Sequence, residues 1–170
     1  LPKDATIGTR VGQFRRDAGR GHFDWNFLRE LRAQWPHKLI LKGVMCAEDA
    51  RNAVDAGVDA VYVSNHGGRQ LDSAPAAISI LPLIREALGP EYPIVFDSGV
   101  RSGEDIVRTL ASGAGFVMLG RPFLYALGAG GAGGLSQLLS LLMNELSTVM
   151  AQLGCTHPAQ LNSAVRAPPR

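Results

Sequence analysis

The sequence predicts an α/β fold made of parallel β/α units, and three observations carry that expectation. From Pro36 onward, short apolar runs alternate with stretches of helical periodicity, the pattern of strands joined by crossover helices. Residues 43–64 align without a gap on residues 99–120, at an offset of 56, which marks a duplicated structural unit. Lys42, Ser64 with His66, Asp97, and Gly120 with Arg121 each come just after an apolar run. In a parallel barrel or sheet those strand ends share one face, the face that carries active sites.

Residues 1–21 hold Lys3, Arg10, Arg15, Arg16 and Arg20 among glycines, with little apolar periodicity, and read as a mobile basic loop or arm. The pattern changes at His22. Phe23, Phe27, Leu28 and Leu31 fall at helical spacing, Asp24 is placed to cap the helix, and Pro36 lies beyond its end. Four strands follow at 39–41, 58–63, 93–96 and 115–119, with helices over 47–56, 78–88, 103–112 and 134–153. The second run, Val58-Asp59-Ala60-Val61-Tyr62-Val63, is short and rich in β-branched residues, as a central parallel strand buried on both faces should be. In the last helix Leu135, Leu138, Leu139, Leu142, Leu146, Val149 and Leu153 form a stripe expected to face the barrel. Residues 166–170 read as a tail.

Within the repeat, Gly43-Val44 matches Gly99-Val100, Glu48-Asp49 matches Glu104-Asp105, Gly57 matches Gly113 and Val61 matches Val117. Duplicated pairs of β/α units predict a TIM (β/α)₈ barrel, although duplication also occurs in open sheets. Four units are half of one, and since such barrels run to ~250 residues, residues 22–165 read as the C-terminal half of a single barrel domain in a longer polypeptide.

Composition narrows the class. The chain has 170 residues, of which 46% are hydrophobic and 19% charged, enough apolar material for one packed core. A net charge of +2 is too small to predict a nucleic-acid surface. Cys46 and Cys155 lack metal-ligand spacing, so no metal site is expected, and reduced thiols of a cytoplasmic protein are. The apolar stretch 135–150 is interrupted by Ser136, Gln137, Ser140, Asn144, Glu145 and Ser147, which fits an amphipathic helix better than a membrane span. Gly128-Ala129-Gly130-Gly131-Ala132-Gly133 matches a dinucleotide-binding G-x-G-x-x-G. However, the preceding residues 122–127 read as a helical turn, and position 153 is Leu where an acidic residue would be needed.

The chemistry concentrates in Ser64-Asn65-His66-Gly67-Gly68-Arg69-Gln70-Leu71-Asp72. An imidazole takes a proton near neutral pH, and a guanidinium grips a carboxylate through two parallel hydrogen bonds. His66 and Arg69 together therefore suit an acidic substrate that must lose a proton.

Together with Leu41-Lys42-Gly43, Asp97-Ser98-Gly99-Val100-Arg101 and Leu119-Gly120-Arg121, this loop resembles the signature blocks of the FMN-dependent 2-hydroxy-acid dehydrogenases and oxidases. That family includes glycolate oxidase, lactate oxidase, the flavin-type lactate dehydrogenases and mandelate dehydrogenase. The resemblance runs from about residue 23 to 161. It implies FMN as cofactor and oxidation of an L-2-hydroxy acid to the 2-oxo acid. Lys42 would stand beside the flavin N1 and C2 carbonyl, and Ser64 would bond the ring. His66 would be the base, taking the hydroxyl proton during hydride transfer or the Cα proton in a carbanion route, and Arg69 would bind the substrate carboxylate. Asp97, Ser98, Gly99, Val100 and Arg101 would hold the ribityl chain and phosphate, with Gly120 and Arg121 completing the phosphate grip. Ser98 stands where many members carry a second glycine.

The resemblance further implies that the first half of the barrel is a partner, supplying tyrosines, a second arginine and an aspartate that orients His66. It also implies a tetramer-like homo-oligomer and leaves membrane attachment open. Two other readings remain at this level: a flavin-free phosphate-binding barrel such as a sugar-phosphate isomerase, and a non-catalytic half-barrel that only pairs with another chain.

Overall fold

The structure, a computed structural model, describes residues 24–161. The basic arm over 1–21 and the tail over 166–170 lie outside the described residues. Helix α1 (Trp25–Gln34) leads into strand β1 (Ile40–Val44), α2 (Ala47–Asp55), β2 (Ala60–Val63), α3 (Ala77–Leu88), β3 (Ile94–Phe96), α4 (Gly103–Ala111), β4 (Phe116–Val117) and α5 (Arg121–Gln152). The strands form one parallel sheet in the order β1-β2-β3-β4. The four predicted strands and the helices between them are therefore present, although β4 is shorter than 115–119.

The two sides of the sheet differ. Val61, Val63, Ile94 and Phe96 are almost completely buried and form the core with Ala50 and Ala53 of α2 and Leu81 and Ile84 of α3. The opposite face carries Ile40, Lys42, Tyr62, Val95 and Phe116 in register, and Ile40 and Phe116 are 49% and 60% exposed. Among the described residues nothing covers that face.

The repeat is borne out bond by bond. At the offset of 56, α2 maps onto α4 and Cys46 onto Ser102. Both are N-caps, accepting from the amides of Asp49 and Asp105. At the other end Gly57 and Gly113 both take positive φ, +82° and +109°, a conformation a side chain would strain. The unit is larger than the sequence alignment suggested, because each half also contains an arginine clasp. Arg32 of α1 donates to the carbonyls of Trp35, His37 (2.7 Å) and Gly57 (3.4 Å). Arg85 of α3 donates to those of Gly89 (2.6 Å), Tyr92 (2.9 Å) and Gly113 (2.8 Å). Each clasp ties a helix C-terminus to the start of the next strand and to the turn at the end of the following helix.

Two expectations need correction. Lys42 does not follow the first strand; it lies inside β1, because the strand continues through a bulge at Gly43 to Val44. The last helix begins at Arg121, not at 134, and breaks where Gly130 and Gly131 leave helical geometry. The G-x-G-x-x-G stretch therefore lies within a broken helix, directly preceded by helical residues and not by a strand. Of the predicted stripe Leu142 is buried and Leu146 and Val149 partly so, and Leu146 and Val149, with Met150, pack beside α4 and not against the sheet. Leu139 and Leu153 are exposed, as are Leu141 and Met143, so the helix is less one-sided than predicted. By length and composition α5 is long enough and apolar enough to cross a membrane. Its fit to α4 depends on Gly103, where a Cβ would come within 2.4 Å of the Leu146 amide nitrogen.

Candidate active site

Every residue singled out from the sequence at a strand end reaches the same end of the sheet. Lys42, His66, Arg69, Asp97, Ser98, Gly99, Val100, Arg101, Gly120 and Arg121 line one cleft there. The parallel register brings this about: with Lys42 level with Tyr62 and Val63 level with Phe96, Ser64 and Asp97 leave adjacent strands side by side.

Asp97 is the hub. Its Oδ1 accepts from Ser64 and, at 2.8 Å, from Ser98, while its Oδ2 accepts from Tyr62 Oη at 2.9 Å and pairs with Lys42 Nζ at 3.1 Å. Burial is the largest influence on this carboxyl and pushes it upward. The bonds from Ser64, Ser98, Lys42 and Tyr62 together outweigh burial and hold it below the ordinary carboxylate range. Ser64, which is 1% exposed, donates to Asp97 and accepts from Lys42 Nζ at 2.8 Å and the His66 amide at 3.1 Å. One donor and two acceptor positions are thereby all in use.

The loop after β2 makes a short 3₁₀ turn over His66–Gly68. Asn65 initiates it, its Oδ1 accepting from the Gly67 amide at 3.0 Å and its Nδ2 donating to the Pro75 carbonyl at 3.2 Å. His66 has φ +57° and Ser98 φ +90°. Two non-glycine residues in the left-handed region, both in one cleft, are a mark of stored strain at a functional site. The His66 imidazole packs over the Gly43 bulge, where a Cβ would sit 3.0 Å from its Cε1. Arg69, exposed at the C-terminal end of the turn, donates from Nε to the His66 carbonyl at 3.3 Å. Imidazole and guanidinium thus belong to one short turn and the residue that caps it.

The cleft also suits a phosphate-bearing cofactor. Four cationic side chains, Lys42, Arg69, Arg101 and Arg121, line it against the single carboxylate of Asp97. Gly99, with φ +85°, and Gly120 both have open space where a Cβ would be, so an anion can approach the backbone closely. Gly120, the N-cap of α5, makes no side-chain cap, and with Arg121, Pro122 and Leu124 it puts the first turn of that helix on the cleft wall. Sequence reasoning missed Asn65 as the turn former and Tyr62 as a partner of Asp97. An Asn two residues before a glycine pair is a recognisable turn signal, whereas Tyr62 lies mid-strand and gives none.

A parallel β/α sheet with a cationic, glycine-floored cleft at its strand ends defines the class of phosphate-cofactor (β/α)₈-barrel enzymes, of which this chain supplies four strands. Residues 3–167 match the FMN-dependent dehydrogenase family, and the chain belongs to it. The L-lactate dehydrogenase of Caulobacter sp. (strain K31) is 48% identical over 143 residues, which cover 84% of this chain and 38% of that protein. The 2-hydroxyacid oxidase of Dictyostelium discoideum is 40% identical over 141 residues, covering 83% and 36%. Among solved structures, (S)-mandelate dehydrogenase, described as a monotopic membrane protein, superimposes with a TM-score of 0.87 at 40% identity, covering 96% of this chain and 43% of that one. The chain therefore spans less than half the length of the relatives it matches.

Proposed function

We propose that this chain is the cofactor-binding and catalytic half of an FMN-dependent enzyme that oxidises an L-2-hydroxy acid of the lactate, glycolate or mandelate type to the 2-oxo acid. The observation that carries the proposal is the convergence of His66, Arg69, Lys42 and Asp97 on one cleft, in a chain whose family uses FMN. Residues 22–165 act as the second half of a single barrel domain. The strands that complete the barrel are its first partner, and a homo-oligomer is the assembled form. The (S)-mandelate dehydrogenase relative is described as a membrane protein, and peripheral membrane attachment of the whole enzyme is compatible with this reading.

Bound FMN supplies the two-electron acceptor. Arg69 holds the substrate carboxylate through its planar fork and so fixes the orientation of Cα. His66 takes the proton that the substrate must lose, from the hydroxyl or from Cα. Lys42 would place an ammonium beside the flavin where negative charge gathers on reduction, and Ser64 would bond the ring. Asp97, Ser98, Gly99, Val100 and Arg101 hold the ribityl chain and phosphate, and Gly120 and Arg121 close on the phosphate.

The test is the visible absorption spectrum of the assembled barrel, recorded anaerobically before and after L-lactate, glycolate or L-mandelate is added. A flavin spectrum that bleaches with one of these acids is the expected result and identifies the substrate. A protein that stays colourless and takes up no added FMN overturns the proposal in favour of a flavin-free phosphate-binding barrel.

A further inference from the structure

Tyr62 touches both charged groups at the floor of the cleft. Its hydroxyl donates to Asp97 Oδ2 at 2.9 Å, and its ring lies under Lys42 Nζ, 4.5 Å from the centroid. That same oxygen pairs with Lys42 Nζ at 3.1 Å, so phenol and ammonium share one acceptor, while Ser64 and Ser98 occupy the other oxygen. Burial and the neighbouring carboxylate both push the phenol well above its ordinary value, so the hydroxyl remains a donor throughout the neutral range.

We propose that Tyr62 is a positioning residue that sets how much of the Lys42 charge is available to the flavin. The proposal rests on the FMN reading above and deepens it. The ring supports the ammonium from below. The hydroxyl draws off part of the Asp97 charge that would otherwise neutralise Lys42 alone, leaving the ammonium a larger share of its field to direct into the cleft. Neither contact involves Gly120 or Arg121, and Asp97 keeps its bonds from Ser64 and Ser98 when the phenol is removed, so FMN affinity and flavin electronics should respond differently to changes at this position.

The test compares FMN affinity and flavin midpoint potential in the assembled holoenzyme for wild type, Tyr62→Phe and Tyr62→Leu. Tyr62→Phe keeps the ring and removes one oxygen, so it should fold and bind FMN as wild type does. Its two-electron potential should be lower by about 30 mV, equivalent to a tenfold change in equilibrium constant. Tyr62→Leu, lacking ring and hydroxyl, should also shift the potential away from wild type. In an Asp97→Asn background, Tyr62→Phe should produce no additional shift, because the charge it modulates is gone. Unchanged potentials in both single variants with FMN fully bound overturn the role of Tyr62 and leave the FMN reading intact. Failure of the wild-type protein to bind FMN overturns both.

Discussion

At the scale of single residues, the proposed reaction separates binding from proton transfer. His66 and Arg69 share the 3₁₀ turn, yet each does a different job in the proposed reaction, so their substitutions should differ in kind. His66→Ala should keep FMN and lower kcat by ~10²–10⁴, the usual contribution of a positioned base. Arg69→Lys should raise KM more than it lowers kcat, because an ammonium cannot reproduce the two parallel bonds of a guanidinium. Steady-state kinetics on the two holoenzymes check this; equal and small effects of both changes would remove the assignment. His66 also illustrates how a neighbour makes room: the Gly43 bulge is the surface on which its imidazole rests, so the two positions act as a unit.

At the scale of elements, the chain is organised as a repeated α-β-α-β unit in which charge fastens helix to sheet. In the first unit Asp59, just before β2, receives Lys38 Nζ at 2.7 Å, Arg32 Nη1 at 3.0 Å and the Leu39 amide at 2.9 Å. Lys38 first and the Leu39 amide next hold its carboxyl down, from an ordinary 3.8 to about 2. A carboxyl whose folded value lies below its unfolded one stabilises the fold fully above the unfolded value and loses that contribution as pH falls through the folded one. Melting curves against pH should therefore show wild type above Asp59→Asn at pH 5–7. The gap should close between about pH 4 and pH 2. A gap that persists below pH 2 would mean that Asp59 stabilises through something other than its charge.

For the whole molecule, the decisive feature is a sheet that stops. One face is packed under helices, while the other presents Ile40, Phe116 and Met118 to solvent, and β1 and β4 are its edges. Open edges and a bare apolar face invite pairing with other chains. By light scattering, the 170-residue chain alone should form dimers or larger aggregates, whereas co-expression with a segment supplying the remaining strands should give one defined particle. A lone chain that stays monomeric and melts cooperatively would show that the half-barrel is a unit in its own right, and would favour a binding role over catalysis.

The sequence by itself determined the succession of β/α units, the duplication and the ordered set of chemical residues. These signals are local: apolar periodicity, glycines at turns, and polar groups at strand ends are each written in a few consecutive positions. Asp24 as the cap of α1, where it accepts from the Phe27 amide at 2.8 Å, was legible for that reason. The exact strand limits were not, because the bulge at Gly43 depends on which strand lies alongside. Tertiary structure alone decided that α5 packs on α4, that Arg32 and Arg85 clasp equivalent turns, and that Tyr62 joins Lys42 to Asp97. Those relations link residues 20 to 42 positions apart, and no local pattern encodes a distance across a sheet. It is the parallel register that turns scattered strand-end residues into one site.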